Sequence, residues 1–222
     1  MIGIYSIYKP VGPTSFGIIS ELRKITGVRR IGHAGTLDPL AKGVLVVAIG
    51  AEYTKKLDEI VAKEKEYIAD IRLGATSTTD DEEGDKQKVE SNKQIGINDI
   101  EKVISGFIGQ IEQVPPIYSA IKMGGKRAYD LARKGKAPLM SARPVEIKEI
   151  ELLSYKWPDL KLRVTTGKGV YIRSLARDVG KALGVGGYLA GLERTRVGQY
   201  KKGGSLTVEE FASKFKNDKF EN

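Results

Sequence analysis

Residues 31–50 read IGHAGTLDPLAKGVLVVAIG, and the fold turns on how this stretch divides. Its second half, GVLVVAIG over 43–50, is a short apolar run rich in β-branched residues and predicts a buried strand. Its first half holds the chain's only histidine, an aspartate followed by proline, and glycines at 32, 35 and 43, which predicts a turn-rich connection. Upstream, Phe16, Ile19, Leu22 and Ile25 recur at helical spacing between the capping candidate Ser15 and the stop Gly27, so 15–26 predicts an amphipathic helix. Downstream, Tyr67, Ala69, Ile71 and Leu73 alternate with Ile68, Asp70 and Arg72, a strand with Tyr67 on its inward face.

Residues 74–94 lose periodicity and gain charge, which predicts a loop. Asn98 and Glu101 resemble a capping box, and Ile100, Val103, Ile104, Phe107 and Ile108 predict a helix ending at Gly109. Residues 114–144 mix proline, glycine and basic residues around one short helix candidate and read as an insertion. Val145 and Ile147, then Ile150 and Leu152, alternate in two phases, a strand with a bulge, and Leu160, Leu162 and Val164 give another strand. Ile172, Leu175, Val179 and Leu183 predict a helix, and Thr207 with Glu210 caps a last one carrying Phe211 and Phe215. Strands and helices without regular βαβ alternation favour an α+β fold with a largely antiparallel mixed sheet flanked by helices.

At 222 residues, 41% hydrophobic and 29% charged, the chain should bury a real core, which excludes disorder throughout. A net charge of +9 and a pI near 9.5 favour a polyanionic partner, nucleic acid first. With no cysteine and one histidine, disulfides, thiol nucleophiles, iron–sulfur clusters and multi-histidine metal sites are excluded. No apolar run approaches the roughly 20 residues of a membrane span, and MIGIYSIYKP lacks a signal-peptide pattern, so a soluble, cytoplasmic protein is expected, with no membrane partner.

Read locally, the segment 31–45 could be a glycine-rich turn in which Asp38 is a turn residue and His33 fills space. Read with the rest of the chain, it resembles the TruB-type pseudouridine synthases. The hallmark G-H-x-G-x-L-D-P-x-A-x-G-x-L is met by Gly32, His33, Gly35, Leu37, Asp38, Pro39, Ala41, Gly43 and Leu45. Lys9, Pro10, Gly12, Thr14 and Ser15 match K-P-x-G-x-T-S, and Lys65 and Tyr67 match K-x-Y. Leu73, Gly74, Thr79, Asp81 and Gly84 fit L-G-x-x-T-x-T-x-D-x-x-G, with Ser77 in the place of the first threonine. Lys168, Gly169, Tyr171, Ile172, Arg173, Leu175 and Asp178 resemble K-G-T-Y-I-R-x-L-x-x-D, with Val170 for threonine, and Leu192, Arg194, Thr195 and Gly198 fit L-x-R-T-x-x-G. The segment 114–144 looks like the family's thumb insertion.

The resemblance implies the pseudouridine synthase fold, and an isomerase that breaks the N1–C1′ bond of a uridine, turns the base and rejoins it through C5. It implies no cofactor and no metal. An aspartate with a reference pKa of about 3.9 is already anionic at neutral pH, so Asp38 needs no base to activate it. By resemblance Arg173 is the cation that aims it; from the local sequence alone a surface pair with Asp178 is the commoner fate. Three routes stay open for Asp38: attack on C1′, attack on base C6, or elimination to a glycal. Tyr67 is implied to stack on the uracil and is a candidate general base, Tyr171 and Leu192 to line the uracil site, and His33 to hold the base out of its stack. Asp81 reads as loop architecture.

A stacked uridine must be flipped to reach a buried aspartate, and phosphate contacts must offset that cost. Lys9, Arg29, Arg30, Lys122, Lys126 and Arg127 are the candidates for the RNA backbone. The implied substrate is the T-loop uridine of tRNA, position 55, recognised through the folded T stem-loop. One catalytic domain over 1–222 is expected, without the RNA-binding PUA domain that bacterial members commonly carry, and a monomer. The rival readings are a tRNA-folding chaperone on the same fold and a pseudouridine synthase for another RNA.

Overall fold

The computed structural model describes residues 2–119, 122–123, 126–127 and 140–220. In chain order the elements are β1 (Gly3–Lys9), α1 (Ser15–Thr26), β2 (Ile31–His33), β3 (Ala41–Ile49), α2 (Ala51–Thr54), α3 (Leu57–Val61) and β4 (Lys65–Leu73). There follow β5 (Ala75–Ser77), β6 (Lys86–Lys88), α4 (Ile97–Ser105), β7 (Gly109–Gln113), β8 (Lys122–Met123) and β9 (Lys126–Arg127). The chain continues through β10 (Arg143–Lys156), β11 (Asp159–Thr166), α5 (Ile172–Leu183), β12 (Gly187–Val197), β13 (Tyr200–Lys201) and α6 (Val208–Phe220). The result is the expected α+β class with a mostly antiparallel mixed sheet.

The chain divides into two compact units: Met1–Ile68 with Leu192–Asn222, and Ala69–Gly191. In the first, β3 is the central strand. It is buried along nearly its whole length and pairs antiparallel with β1 and β2 and parallel with β12. Ile7, Leu45, Val47 and Ile49 meet Ile18, Ile19 and Leu22 of α1 and Phe211 of α6 in one core. The last helix begins at the box read from sequence: Thr207 N donates to Glu210 Oε2 (2.7 Å) and Glu210 N to Thr207 Oγ1 (3.1 Å).

Helix α1 differs from its expected register. Thr14 is the cap, its hydroxyl accepting from Gly17 N at 2.9 Å, and the buried stripe is Ser15, Ile18, Ile19 and Leu22, while Phe16 lies 63% exposed. The stripe keeps helical spacing but starts at a serine, because that hydroxyl has a partner inside.

In the second unit β11, β10 and β7 run antiparallel in succession, and β4 follows β11 in strand order. The two-phase alternation around 145–152 is a pair of register shifts in β10, after Ile147 and after Leu152. Residues 74–94, expected as loop, contain the β5–β6 hairpin. Helix α4 is capped at Gly96, whose N–H donates to Asp99 Oδ2 at 2.8 Å, rather than at Asn98, and ends at Ser105, so Phe107 and Ile108 fall beyond it. Within the insertion read over 114–144, residues 120–139 lie outside the described residues apart from the β8–β9 backbone pair.

Candidate active site

Asp38 sits in the turn between β2 and β3, partly exposed. Both its neighbours are pinned. The Ser15 hydroxyl donates to Leu37 O at 3.0 Å and accepts from Leu37 N at 2.8 Å, and Gly12 N donates to Pro39 O at 2.9 Å. Asp38's own carbonyl accepts from Ala41 N at 3.0 Å, closing the turn into β3. Gly12 and Ser15 of the N-terminal motif therefore grip the aspartate loop from the connection after β1 and from the start of α1.

Beneath this turn lie three buried cations: Lys9, Lys65 and Arg194, at 0%, 7% and 1% exposure. A buried charge is costly unless its hydrogens find partners. Lys9 Nζ donates to the carbonyls of Pro10 (2.9 Å) and Ala41 (2.6 Å), and Lys65 Nζ to those of Val61 (2.7 Å) and Lys63 (2.8 Å). Arg194 donates Nε to Val44 O (2.8 Å) and Nη2 to Gly35 O (3.0 Å). Burial, with Arg194 adding to it, pushes both lysine ammonium groups down to about 8, and the Asp38 carboxylate opposes the shift at Lys9. Burial and Arg194 also hold His33 below its usual range, so it is neutral at pH 7.

Lys9 is the correction here. It was expected to contact RNA phosphate, yet it is fully buried with its ammonium committed to backbone carbonyls and to the field at Asp38. Arg29 and Arg30 are exposed between α1 and β2, as phosphate contacts require. The side chains of Lys122, Lys126 and Arg127 lie outside the described residues. Tyr67 is buried on β4 at 7% exposure, and Leu192 on β12 pairs in register with Ala41 of β3.

The second unit carries Tyr171 and Arg173. Tyr171 caps α5 with both backbone groups held by one buried amide: Gln113 Nε2 donates to Tyr171 O (3.1 Å), and Tyr171 N donates to Gln113 Oε1 (2.8 Å). Arg173, at 7% exposure, pairs through Nη1 with Asp81 Oδ2 at 3.3 Å and donates Nη2 to Tyr118 O at 2.8 Å. Asp81 is 2% exposed and accepts from Thr79 Oγ1 (2.5 Å) and Glu83 N (3.1 Å).

Asp81 is thus more than loop architecture: it orients the arginine. Gln113, Lys65, Arg194 and Asp81 are the residues that reading the sequence did not single out for the site. For three of them the available signal was a motif position occupied by a charged residue amid buried neighbours.

The comparisons agree with this architecture. A solved Cbf5-Nop10-Gar1 complex contains a chain 30% identical, with a TM-score of 0.75 over 96% of this chain and 54% of that one. An H/ACA RNP bound to a substrate RNA containing 2′-deoxyuridine gives 27% identity and a TM-score of 0.72 over 98% of this chain and 56% of that one. The chain spans about half the length of those solved chains. Fold and motif loop together define a pseudouridine synthase.

Within that class, the chain belongs to the TruB family: the model for the TruB pseudouridylate synthase N-terminal domain matches residues 23–172, and that for the tRNA pseudouridylate synthase B C-terminal domain matches 173–222. Proteins called tRNA pseudouridine synthase B are similar to it. That of Phocaeicola vulgatus is 46% identical, covering 91% of this chain and 88% of the relative. The Clostridium novyi protein is 43% identical over 98% and 75%, and one from a Mycobacterium species 48% identical over 89% and 68%.

Proposed function

We propose that this chain is a tRNA pseudouridine synthase that isomerises the T-loop uridine at position 55. The observation that carries the reading is the aspartate loop itself, where Leu37 and Pro39, on either side of Asp38, are each bonded to the N-terminal motif and so fix the backbone that presents the carboxylate. Such pre-organisation places a carboxylate without reorganisation during reaction. Relatives called tRNA pseudouridine synthase B, over two-fifths identical to this chain, support the substrate.

In this reading Asp38 is the nucleophile or charge stabiliser at the sugar or base, and Arg173 the cation that aims it. Tyr67 stacks on the flipped uracil and takes the C5 proton, Tyr171 and Leu192 line the base site, and neutral His33 helps hold the base out of its stack. The C1′–N1 bond breaks, a C1′–C5 bond forms, C5 gives up a proton and N1 gains one. The balance closes with protons alone, so the proposal includes no metal and no cofactor. Flipping the nucleotide costs a few kcal/mol, about what several phosphate contacts return, and Arg29 and Arg30 are placed to make them. The enzyme is taken as one catalytic domain, monomeric and cytoplasmic, with the tRNA T stem-loop as partner. Among the described residues no helix is long and apolar enough to cross a membrane.

The test is to incubate the protein with an unmodified tRNA transcript in EDTA, then map pseudouridine by carbodiimide-blocked primer extension, beside Asp38→Asn. One new stop at the T-loop uridine, absent with the variant, is the expected result. A stop elsewhere discards the substrate, and salt-sensitive binding without any stop discards the enzyme in favour of an RNA chaperone.

A further inference from the structure

A second arginine and a second aspartate stand directly beside Arg173 and Asp81. Arg177 follows Arg173 by one turn of α5, so the two guanidinium groups leave the same helix face. They take consecutive carboxylates: Arg173 Nη1 meets Asp81 Oδ2 at 3.3 Å, and Arg177 Nη1 meets Asp80 Oδ2 at 2.7 Å. The parallel extends to the backbone. Arg173 Nη2 donates to Tyr118 O and Arg177 Nη2 to Val114 O, each at 2.8 Å, while Arg177 Nε donates to Asp178 Oδ1 at 2.9 Å. Both arginines thus bind the segment at 79–81 and the segment at 114–118, with Arg173 Nη1 also donating to Thr79 O at 3.4 Å.

Asp80 is also the one non-glycine residue among those described with a left-handed backbone, φ +61°. A residue of this kind persists there only where its surroundings over-determine it. Here Asp80 N donates to Ser77 O (3.2 Å), Asp80 O accepts from Leu189 N (3.0 Å), and Arg177 holds the carboxylate. The turn at Asp80 is what sends the next side chain, Asp81, inward to 2% exposure.

We propose that the Arg177–Asp80 ion pair is a positioning device for Arg173. It holds the left-handed turn, and it neutralises Asp80, so that Asp81 meets Arg173 in one geometry and Asp80 does not compete for the same guanidinium. The inference rests on the reading above, in which Arg173 aims the reacting carboxylate. Its electrostatic logic is simple: without Arg177, two adjacent carboxylates would share one cation, and the positive potential that Arg173 offers its target would fall. Burial pushes the Asp80 carboxyl up, Arg177 is the strongest influence in the other direction, and Arg173 already acts on Asp80 more weakly.

Arg177→Gln, Arg177→Lys and Asp80→Asn, checked for folding by thermal unfolding, are compared with the parent in single-turnover modification of an unmodified tRNA transcript and in tRNA binding. Arg177→Gln is expected to slow the single-turnover step about 10- to 100-fold, as small misplacements of a reacting group do, with the tRNA Kd near that of the parent. Arg177→Lys restores part of the rate, because one ammonium can reach Asp80 without the fork. Asp80→Asn keeps a residue that tolerates the left-handed turn but removes its charge, and slows the step by a smaller factor. The double variant is no slower than Arg177→Gln alone, since the pair acts as a unit.

A folded Arg177→Gln protein at the parental rate, or one whose whole defect lies in Kd, overturns the proposal. If that variant does not fold, Asp80→Asn decides, and a parental rate there overturns it equally. A parent inactive on tRNA removes the functional reading together with this inference, whereas an active parent with unaffected variants removes this inference alone.

Discussion

Gly12 and Gly43 share a backbone conformation, φ +110°, and differ in what surrounds them, which allows two costs to be separated by the same substitution. A Cβ at Gly12 would meet nothing within 4 Å. A Cβ at Gly43 would stand 2.2 Å from Arg194 O, 2.8 Å from Arg194 N and 2.9 Å from Arg194 C, all backbone atoms of the strand paired beside it. Gly12→Ala therefore carries backbone strain alone, about 1–3 kcal/mol for a side chain in a sparsely populated region. Gly43→Ala carries that strain plus the cost of forcing two strands apart, typically a further 1–3 kcal/mol, so roughly 2–6 kcal/mol in all. Both variants gain the same few tenths to 1 kcal/mol from a stiffer unfolded chain, which cancels in the comparison.

For a chain of this size each kcal/mol moves Tm by about 2–4 °C, so Gly43→Ala should melt well below Gly12→Ala, which in turn melts below the parent. The assay is calorimetry with urea midpoints on all three proteins. Equal losses at the two glycines would refute the close approach of β3 and β12 on which the placement of Arg194, and through it Gly35 and the aspartate turn, depends.

Two further outcomes follow from burial and charge. Lys9 and Lys65 lose their protons in the folded protein from about 8, against 10.5 in the unfolded chain. Between those values the unfolded state holds more protons, so stability rises with pH, approaching about 1.4 kcal/mol per pH unit for each group. Tyr8, hydrogen-bonded to Glu193 and raised by burial from 10.0 to about 12, works the other way: above 10 the unfolded chain releases a proton that the folded one keeps, and stability falls. Urea midpoints should climb from pH 8 towards 10 and climb less in Lys9→Met; a flat or falling midpoint in the parent over that interval contradicts the burial of the two lysines. Phe211 is fully buried, edge-on to Tyr5 at 5.2 Å and stacked with Phe215 at 6.4 Å, so Phe211→Ala should cost about 3–5 kcal/mol, and a loss under about 1 kcal/mol would mean that α6 does not close the first core.

What the sequence disclosed of the fold follows a physical line. Strands β3 and β4 and helix α5 bury one apolar face or both, and their periodicity was readable. Strands β1, β7 and β12 were not read as strands, and each buries a polar side chain at a position where the pattern rules ask for an apolar one. These are Lys9 in GIYSIYK, Gln113 in GQIEQ and Arg194 in GYLAGLERTRV. Helix α1 was found but set one residue out of register, because its inward stripe begins with Ser15, whose hydroxyl grips Leu37. The same holds for the site. Asp38, Tyr67 and Arg173 are proposed for the site through motif resemblance, whereas the pairing of Asp81, Gln113 and the buried cations becomes legible only when their partners are seen, since those partners are backbone groups and side chains mostly distant in sequence.

These polar residues are hidden for the reason that makes them useful. Lys9 and Arg194 pair in register with opposite sides of the same glycine, Gly43, Lys9 through β1 and Arg194 through β12. A side chain at that position would hold Arg194 away, so the glycine of the motif sets how closely the cations approach the start of β3. The ammonium and guanidinium hydrogens go to the carbonyls of Pro10, Ala41, Gly35 and Val44, of which Gly35 enters and Ala41 leaves the Asp38 turn, so the charges fasten the loop as well as lie beneath it. Coulomb interaction is mutual: if the Asp38 carboxylate favours charge on Lys9, the Lys9 ammonium favours negative charge at Asp38 by the same amount. An apolar core under this turn would fasten it less well and offer no such field, which is a physical reason for a fold to bear the desolvation of three cations at one place.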